Sequence, residues 1–503
     1  MPEWWAWLIL ALAAGTLALL VVFALHRTQL LWLARRIRPE SEWWDGELPR
    51  VTVQLPVFNE AAVVERLVDA AASLDYPRDR LDIQLLDDST DGTTERSAAR
   101  VAHWRRLGVR IRHFHREDRK GYKAGALAQG TDHTEGEFIL ILDADFVPQP
   151  ELVHRLLGPF SDPSVGMVQA RWDHLNEKRS LLTRAQALGL DAHFFLEQGG
   201  RWAAGRFMNF NGTAGMWRRS ALEAAGGWSA DTLTEDLDVS YRAQMAGWRF
   251  VFRPHVGVPS EIPESVRALE VQQKRWAQGG IQTARKLLPS LLRGPWSPAV
   301  KTEAVAHLLG HLAHPLTLLL GLLLVPSALA RRAVGLDHLL FLDLVAFAFA
   351  TLSFVVFFCA AGRRRKRAWG SLVPTAIATL ALGIGLGASV SRAVIRGSRR
   401  TARDAFQRTP KRGNGDVLYT SPSRRGDVLM KVGLTGWMVG SLVVALHQGL
   451  FASIPFVLLF GGGYGWLTWG EVRDARDAAR VARAEQHDRA DAISREYSGL
   501  VTS

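Results

Sequence analysis

The amino-acid sequence predicts an α/β domain inserted between transmembrane helices, and three features of this 503-residue chain support the prediction. First, residues 4–25 carry no charge and are long enough to cross a bilayer as a helix. Second, residues 51–146 alternate strand-like and helix-like hydrophobic patterns, which is typical of a largely parallel sheet covered by helices. Third, more apolar runs follow this polar centre, at 304–330, 338–361, 372–391, 431–447 and 450–469.

The N-terminal segment, residues 1–30, is interpreted as a retained transmembrane anchor. A cleaved signal peptide would begin with basic residues, whereas this chain begins with Pro2, Glu3 and two tryptophans. A basic juxtamembrane segment follows at 31–47. Because basic loops lie on the cytoplasmic side of membrane spans, we expect the next domain, residues 48–265, to lie in the cytoplasm beneath the cell (inner) membrane.

The net charge of +12 favours a lipid bilayer over nucleic acid as the partner of the basic residues. These residues concentrate beside the apolar runs, in "RRRKR" (363–367) and between 396 and 412, where anionic headgroups would meet them. No motif that reads DNA or RNA is visible in the sequence. We therefore predict an integral, multi-pass membrane protein that binds no nucleic acid.

Acidic residues follow the strands of the predicted sheet. "ILILDADFVP" (139–148) ends a buried strand in Asp143 and Asp145, and "LLDDSTD" ends an earlier one in Asp88. Ligands of such sheets bind at the carboxyl ends of the strands. Carboxylates there suit Mg²⁺ or Mn²⁺, which would also neutralise a substrate diphosphate. A single Asp-x-Asp would more often begin a turn, so the prediction depends on the other motifs.

Three further stretches fit a phosphate and sugar site, although each has a simpler explanation when taken alone. "GYKAGAL" (121–127) places Lys123 in a basic loop before a helix, where it would meet phosphate or form a solvated turn. The small residues of the glycine-rich turn "NGTAGMWRR" (211–219) would allow a sugar to approach the backbone closely. "LTEDLD" (233–238) places Glu235 and Asp236 at a helix start, where Thr234 would cap the helix.

A later helical stretch, "VQQKRWAQGG" (271–280), places Gln272, Arg275 and Trp276 near one face. Trp276 would stack on a sugar ring, and Arg275 would meet phosphate. The alternative is an aromatic anchor at the membrane surface, since apolar runs follow. We predict an amphipathic interfacial region over 266–300.

The order "LLDDSTD", "LDADF", "TEDLD" and "QQKRW" resembles the processive inverting glycosyltransferases of family 2, which include cellulose, chitin and hyaluronan synthases. The wording of "GYKAGAL", "VQARW" (168–172), "FNGTAGMWR" and "DTLTEDLDVSYRAQ" looks closest to the cellulose-synthase-like A group, the plant mannan and glucomannan synthases, and their bacterial relatives. This resemblance covers roughly residues 48–290.

The resemblance implies a GT-A fold with a divalent metal, Mg²⁺ or Mn²⁺. It also implies that the donor is GDP-mannose or UDP-glucose and that the product is a β-linked polysaccharide. Specific roles follow for the matching residues: Asp88, Asp143, Asp145 and Lys123 for the nucleotide sugar, Asp143 and Asp145 for the metal, Asp236 with Glu235 for catalysis, and Gln272, Arg275 and Trp276 for the acceptor.

One further motif resembles a gating loop. "FQRTPK" (406–411) matches the cellulose-synthase pattern Phe-x-Val-Thr-x-Lys at Phe406, Thr409 and Lys411, but has Arg408 where that pattern has valine. Two other functions stay open at this point. A glycolipid synthase would transfer one sugar to a lipid acceptor, and a noncatalytic membrane scaffold would keep a degenerate domain. The sequence predicts no oligomeric state.

The C-terminal half is predicted to be a membrane domain, residues 301–470, followed by a charged cytoplasmic tail, 471–503. Both flanks of 372–391 are basic, so this run is expected to be interfacial or re-entrant, with a sixth crossing as the alternative. In the run 304–330, helical spacing predicts that His307, His311 and His314 share one helix face. They would line a pathway, link helices or, less favourably, bind a metal.

Overall fold

The computed structural model describes residues 3–37, 44, 46–399 and 425–501. A single seven-stranded sheet lies in the order β3-β2-β1-β4-β6-β5-β7. Its strands are β1 Val51–Val57, β2 Leu81–Asp87, β3 Ile111–His115, β4 Phe138–Ile141, β5 Val165–His174, β6 Gly215–Arg218 and β7 Arg249–Ser260. We call residues 48–265 the sheet domain.

The sheet is mixed, as predicted. Strands β3, β2, β1 and β4 are parallel neighbours, whereas β6 runs antiparallel to both β4 and β5, and β5 is parallel to β7. Strands β1 and β2 are buried along their whole length, which is why both read as nearly continuous apolar runs. The carboxyl ends of β1, β2 and β4 therefore meet at one edge.

Helices pack on both faces of the sheet and form one hydrophobic core on each face. The helices of the first half of the chain are α1 Glu3–Leu33, α2 Val64–Ala72, α3 Thr93–Arg106, α4 Tyr122–Asp132, α5 Leu152–Leu157, α6 Leu181–Ala192, α7 Gly199–Ala203, α8 Arg219–Ala224 and α9 Glu235–Met245. A π-helical segment, His193–Gln198, joins α6 to α7.

The second half of the described chain is helical. Its helices are α10 Val266–Arg293, α11 Pro298–Leu308, α12 Ala313–Ala333, α13 Leu340–Arg364, α14 Trp369–Ser398, α15 Arg425–His447 and α16 Ile454–Val501. Among the described residues, six helical segments are long and apolar enough to cross a membrane, and they coincide with the six apolar runs of the sequence. Helix α1 packs against α12 and α13, so the N-terminal anchor joins the C-terminal bundle.

Helix α14 differs from the expectation of a re-entrant segment, because it continues without reversal from Trp369 to Ser398 even though it contains Pro374. Its first half contacts α6, where Thr379 Oγ1 donates a hydrogen bond to the Ala185 carbonyl at 3.1 Å. Its second half contacts α10, where Ser389 Oγ lies 3.0 Å from Glu270 Oε1. This helix therefore contacts α6 of the sheet domain and α10, and it also packs against α12, α13 and α16.

The histidine spacing was misread, because the apolar run 304–330 is not one helix. A 3₁₀ turn at Gly310–Leu312 separates α11 from α12. His307 consequently leaves the common face and bonds through Nδ1 to the Tyr241 hydroxyl at 2.9 Å. The rings of His311 and His314 stack on each other, with centroids 6.2 Å apart. No metal-binding cluster occurs within the described part of the chain.

The "RRRKR" loop between α13 and α14 also differs from the expectation that lipid headgroups would neutralise it. Arg367 forms ion pairs with Glu177 at 2.7 Å and with the fully buried Asp191 at 2.8 Å. Arg365 pairs with Asp173, the residue before the end of β5. The loop thus attaches the membrane helices to the sheet domain through protein carboxylates.

The C-terminal helix α16 continues across residue 470, so the predicted boundary between membrane domain and tail falls inside one helix. The proposed gating residues Phe406, Thr409 and Lys411 lie outside the described residues.

Candidate active site

The strand ends predicted to form a site surround one cavity of about 1220 Å³, including its open mouth. Nine residues singled out in the sequence line this cavity, although they come from strand ends and helices far apart in the chain. They are Asp88, Lys123, Asp143, Asp145, Glu235, Asp236, Gln272, Arg275 and Trp276.

One end of the cavity lies beyond β1 and β2. The carboxylate of Asp88 accepts two hydrogen bonds from Arg116, from Nε at 2.7 Å and from Nη2 at 2.6 Å. Beside this pair, the guanidinium of Arg119 lies 3.2 Å from the centre of the Phe58 ring. A flat aromatic and cationic surface next to a carboxylate is suited to a nucleobase, so we call this region the nucleotide end.

Neighbouring Asp87 does not line the cavity. It is fully buried beneath the sheet edge, where it meets His113 Nε2 at 3.0 Å and accepts a hydrogen bond from the Ser89 N–H at 2.8 Å. Burial alone would raise the pKa of Asp87, but these bonds lower it to about 2. Successive side chains on a strand point to opposite faces, which separates Asp87 from Asp88.

The "LDADF" carboxylates follow β4 directly. Asp143 Oδ1 forms an ion pair with Lys123 Nζ at 2.6 Å, and the same ammonium donates to the Gly212 carbonyl at 2.9 Å. Burial opposes the charge of Lys123, but Asp143 and then Glu235 raise its pKa above the ordinary value. Lys123 lies in the first turn of α4 and not in the loop predicted for it.

Asp145 is only 5% exposed, and its Oδ2 accepts a hydrogen bond from the Glu261 N–H at 3.2 Å. Asp143 and Asp145 thus present carboxylate oxygens to the cavity from a rigid strand end. Mg²⁺ and related ions bind through one or two carboxylates plus substrate phosphates, without a complete protein cage. The donor set therefore fits a divalent ion that arrives with a diphosphate.

The "TEDLD" motif lies at the start of α9. Asp236 Oδ1 accepts a hydrogen bond from the Leu237 N–H at 2.8 Å. Burial, and then the adjacent charge of Glu235, raise the pKa of Asp236 to about 7, against the opposing effect of Lys123. A carboxyl with such a pKa accepts a proton readily near neutral pH.

Helix α10 fixes the turn that precedes Asp236. Gly279 lies so close to this turn that an added Cβ would be 2.5 Å from Thr234 Cγ2. Gln282 Oε1 accepts from the Leu233 N–H at 3.0 Å, and the Thr283 and Thr234 hydroxyls share a hydrogen bond at 3.3 Å. The prediction that the Thr234 side chain caps α9 is therefore wrong, because its hydroxyl is turned toward α10.

The same helix carries Gln272, Arg275 and Trp276 to the cavity wall. Burial lowers the pKa of the Arg275 guanidinium, while Glu235, Asp143 and Asp236 act in the opposite direction. The Trp276 ring faces Trp172 at a centroid separation of 6.4 Å. We call this region, together with Asp236, the acceptor end of the cavity.

Several lining residues were not predicted from the sequence. Arg119 lies two residues before "GYKAGAL", Asn211 begins "NGTAGMWRR", and Trp172 ends "VQARW". Arg116 holds Asp88 from just beyond the end of β3. The rule that strand ends meet at one edge would have indicated Arg116, whereas nothing in the local pattern distinguishes Trp172 from a core tryptophan.

Comparison with known proteins gives a family match for the sheet domain. Residues 49–279 match the family described as "Glycosyltransferase like family 2". Glucomannan 4-β-mannosyltransferase 2 of Arabidopsis thaliana is 41% identical over 263 residues, covering 51% of this chain and 49% of that protein. Glucomannan 4-β-mannosyltransferase 1 of Oryza sativa subsp. japonica is 38% identical over 324 residues, covering 58% of this chain and 62% of that protein.

A solved structure shares the fold. The mannosyltransferase PcManGT from Pyrobaculum calidifontis, in complex with GDP-Man and Mn²⁺, superposes with a TM-score of 0.51 at 23% identity. The match covers 72% of this chain and 99% of that chain. The sheet is accordingly of the GT-A type, and residues 49–279 form a glycosyltransferase family 2 domain.

Proposed function

We propose that the protein is a membrane-embedded inverting glycosyltransferase that adds a hexose from a nucleotide sugar to a growing β-linked polysaccharide. The observation that carries this proposal is the arrangement of Asp236 in one cavity with Asp143 and Asp145. One carboxyl has its pKa raised toward neutrality, while the other two lie where a diphosphate would need a metal. A direct displacement requires both groups around one sugar.

In this reaction Asp236 takes the proton of the acceptor hydroxyl as the oxygen attacks the anomeric carbon. The nucleoside diphosphate leaves from the opposite side of that carbon, so an α-linked donor gives a β-linked product. Glu235 assists by raising the pKa of Asp236. Gln272, Arg275 and Trp276 hold the acceptor on the same side as the base.

At the nucleotide end, Asp88, Lys123 and Arg119 receive the donor. Asp143 and Asp145 would hold Mg²⁺ or Mn²⁺, which when bound neutralises the charge that develops on the diphosphate. Lys123 is already positioned between Asp143 and the Gly212 carbonyl, so its ammonium adds positive charge at the same place.

We propose mannose as the transferred sugar, with GDP-mannose as donor and UDP-glucose as the alternative. The names of the plant relatives, glucomannan 4-β-mannosyltransferases, support mannosyl transfer to a polysaccharide acceptor. PcManGT, the mannosyltransferase of the same fold, was solved in complex with GDP-Man and Mn²⁺. Because the matched region spans 49% and 62% of the two plant proteins, donor and product need a direct test.

The test is transfer from a panel of radiolabelled nucleotide sugars by purified protein in lipid nanodiscs, with Mn²⁺ or Mg²⁺. Products are separated by size and by solvent partition. We expect long chains that a β-mannanase digests when GDP-mannose is supplied. A single labelled lipid would instead establish the glycolipid synthase, and no transfer from any donor would favour the noncatalytic scaffold.

We also propose that the sheet domain lies in the cytoplasm and that α14 is an interfacial helix. Helix α14 meets α6 near Thr379 and α10 near Ser389, and Arg285 of α10 donates to the Gly397 carbonyl at 3.0 Å. Ten residues of helix span about 15 Å, so α14 touches the sheet domain through α6 and then follows α10, while it also packs against α12, α13 and α16.

A cysteine-labelling experiment tests this topology in intact cells. Cys359 is changed to serine, and single cysteines are introduced at the exposed positions Lys366 and Arg396. Both positions should resist a membrane-impermeant maleimide until the membrane is opened. Labelling of Arg396→Cys, but not Lys366→Cys, in intact cells would instead show that α14 crosses the bilayer.

A further inference from the structure

The acceptor end of the cavity has a second tryptophan besides Trp276. Trp172, Phe146 and Trp276 all line the cavity, and they lie together. The Trp172 and Trp276 ring centroids are 6.4 Å apart, and the ring planes meet at 54°. Two planes at this angle form a corner and not a parallel slot, so a sugar ring can stack on one face while its edge meets the other.

The Trp172 indole is held rigidly. It lies near the end of β5, where its backbone pairs with Val258 of β7. Its ring makes an edge-on contact with Phe146, at a centroid separation of 5.5 Å, and the Phe194 ring centroid lies 5.6 Å away. A strand position with aromatic neighbours fixes the orientation of a ring more firmly than a loop position does.

The polar edge of Trp172 is incompletely satisfied in the protein alone. Its Nε1–H is buried and has no hydrogen-bond partner among the described residues. A buried donor without a partner is unfavourable, and its burial keeps this N–H out of direct reach of a ligand in the cavity. The indole therefore offers a ligand its ring, which suits the apolar C–H face of a carbohydrate.

We propose that Trp172 and Trp276 together bind the terminal sugar of the acceptor chain, with Trp172 acting as a further acceptor-binding residue. This inference rests on the proposed function and adds to it a second aromatic surface for the acceptor. The nucleotide end does not involve Trp172, because Asp88 follows β2 and both Arg116 and Arg119 follow β3, whereas Trp172 lies in β5. Trp172 therefore affects acceptor recognition and leaves donor recognition unchanged.

The test compares Trp172→Ala and Trp172→Phe with matched variants of Trp202. Trp202 is also half-buried and packs against the same two hydrophobic cores, but it does not line the cavity. Three quantities are measured in nanodiscs: the KM for GDP-mannose, the slow hydrolysis of GDP-mannose without acceptor, and equilibrium binding of fluorescent β-1,4-mannohexaose, with cellohexaose as a second probe.

We expect Trp172→Ala to weaken binding of mannohexaose or cellohexaose roughly tenfold, with a smaller loss for Trp172→Phe, while the KM for GDP-mannose stays within about twofold of wild type. Trp202→Ala should leave oligosaccharide binding unchanged.

Equal oligosaccharide binding by wild type and both Trp172 variants would overturn the inference. So would a parallel rise in the KM for GDP-mannose in Trp172→Phe, because that result indicates a packing role. If wild-type protein neither hydrolyses nor transfers any nucleotide sugar, the proposed function fails, whatever the oligosaccharide binding shows.

Discussion

The two ends of the cavity treat charge differently. At the nucleotide end, acids are paired with bases inside the protein: Asp88 with Arg116, and Asp143 with Lys123. At the acceptor end, Asp236 and Glu235 are adjacent carboxyls, and burial raises the pKa of Asp236. Aromatic rings line much of the remaining wall there, and Arg275 is a cation of the same region.

This difference matches the two tasks that we propose. Groups that bind a charged donor are held in place by ion pairs, and the donor competes with those pairs when it arrives. A group that must take up a proton is kept in a dry environment that disfavours its charge. The predictions below test whether the two ends can be disabled separately.

The largest expected effect is at the acceptor end. Asp236→Asn should lower kcat for sugar transfer by about 10²- to 10⁴-fold, because the base is lost while the shape of the side chain is kept. Donor affinity, measured by titration with labelled GDP-mannose, should stay near that of wild type. Asp231→Asn is the control, since this acid lies in the same turn region but is 72% exposed. Undiminished turnover of Asp236→Asn would remove Asp236 from the base role.

The matching change at the nucleotide end is Asp145→Asn. We expect GDP-mannose to bind roughly 10- to 100-fold more weakly in the presence of Mn²⁺, because one metal ligand has lost its charge. Calorimetry of GDP binding with and without Mn²⁺ measures this effect independently of turnover. If Asp145→Asn bound GDP as tightly as wild type with Mn²⁺, the proposed role of Asp145 in metal-dependent donor binding would be wrong.

A glycine that touches neither substrate should affect the acceptor end alone. Gly279→Ala places a methyl group 2.5 Å from Thr234 Cγ2, so the turn before Asp236 must shift. We expect overpacking to destabilise the fold by about 1–3 kcal/mol and kcat to fall about tenfold, with GDP affinity retained. Gly383→Ala is the control, because an added Cβ there meets nothing within 4 Å. Wild-type kcat in Gly279→Ala would show that the turn does not depend on α10.

The pH dependence of turnover links the two ends through Lys123. Asp236 must be deprotonated to act, so kcat should fall as pH drops below its raised pKa of about 7 and level off above it. The Lys123 charge lowers the pKa of Asp236. Lys123→Met should therefore move the acidic limb of the kcat profile to higher pH. The exposed Lys120→Met should not move this limb, and a shift to lower pH in Lys123→Met would contradict the assignment.

The smallest expected effect concerns the attachment of the membrane loop behind the acceptor end. Arg367→Ala should reduce stability by about 1 kcal/mol, because buried Asp191 loses one partner but keeps Arg365 Nε at 3.7 Å. Thermal unfolding in nanodiscs measures the change. The exposed Arg363→Ala provides the comparison within the same loop. An equal effect of both variants would mean that the loop acts through its charge alone.

Much of the fold could be predicted from the sequence, because local patterns carry that information. Apolar runs marked the six long membrane-type helices, and alternating patterns marked the sheet and its covering helices. The four short motifs that carry the family resemblance could also be identified directly in the sequence. The apolar runs, the alternating patterns and the motifs are all local features, because each depends on residues that are close together in the sequence.

The tertiary structure decided which of these groups are held, buried or turned away. Asp87 and Asp88 are neighbours in sequence, yet one is buried against His113 and the other faces the cavity with Arg116. The sequence pattern predicts that Thr234 caps a helix, but its hydroxyl instead shares a hydrogen bond with that of Thr283, 49 positions away.

The same reason explains why the place of Trp172 in the cavity wall and the continuity of α14 were not predicted. A tryptophan at the end of a strand becomes a cavity wall only because Trp276 is brought opposite it from α10. The apolar run 372–391 is a continuous helix against α6 and α10 because partners outside the run bind it. The sequence by itself determined which elements form and which chemical groups they carry. Only the tertiary structure decided which groups meet, because ion pairs, close contacts and burial depend on residues that lie far apart along the chain.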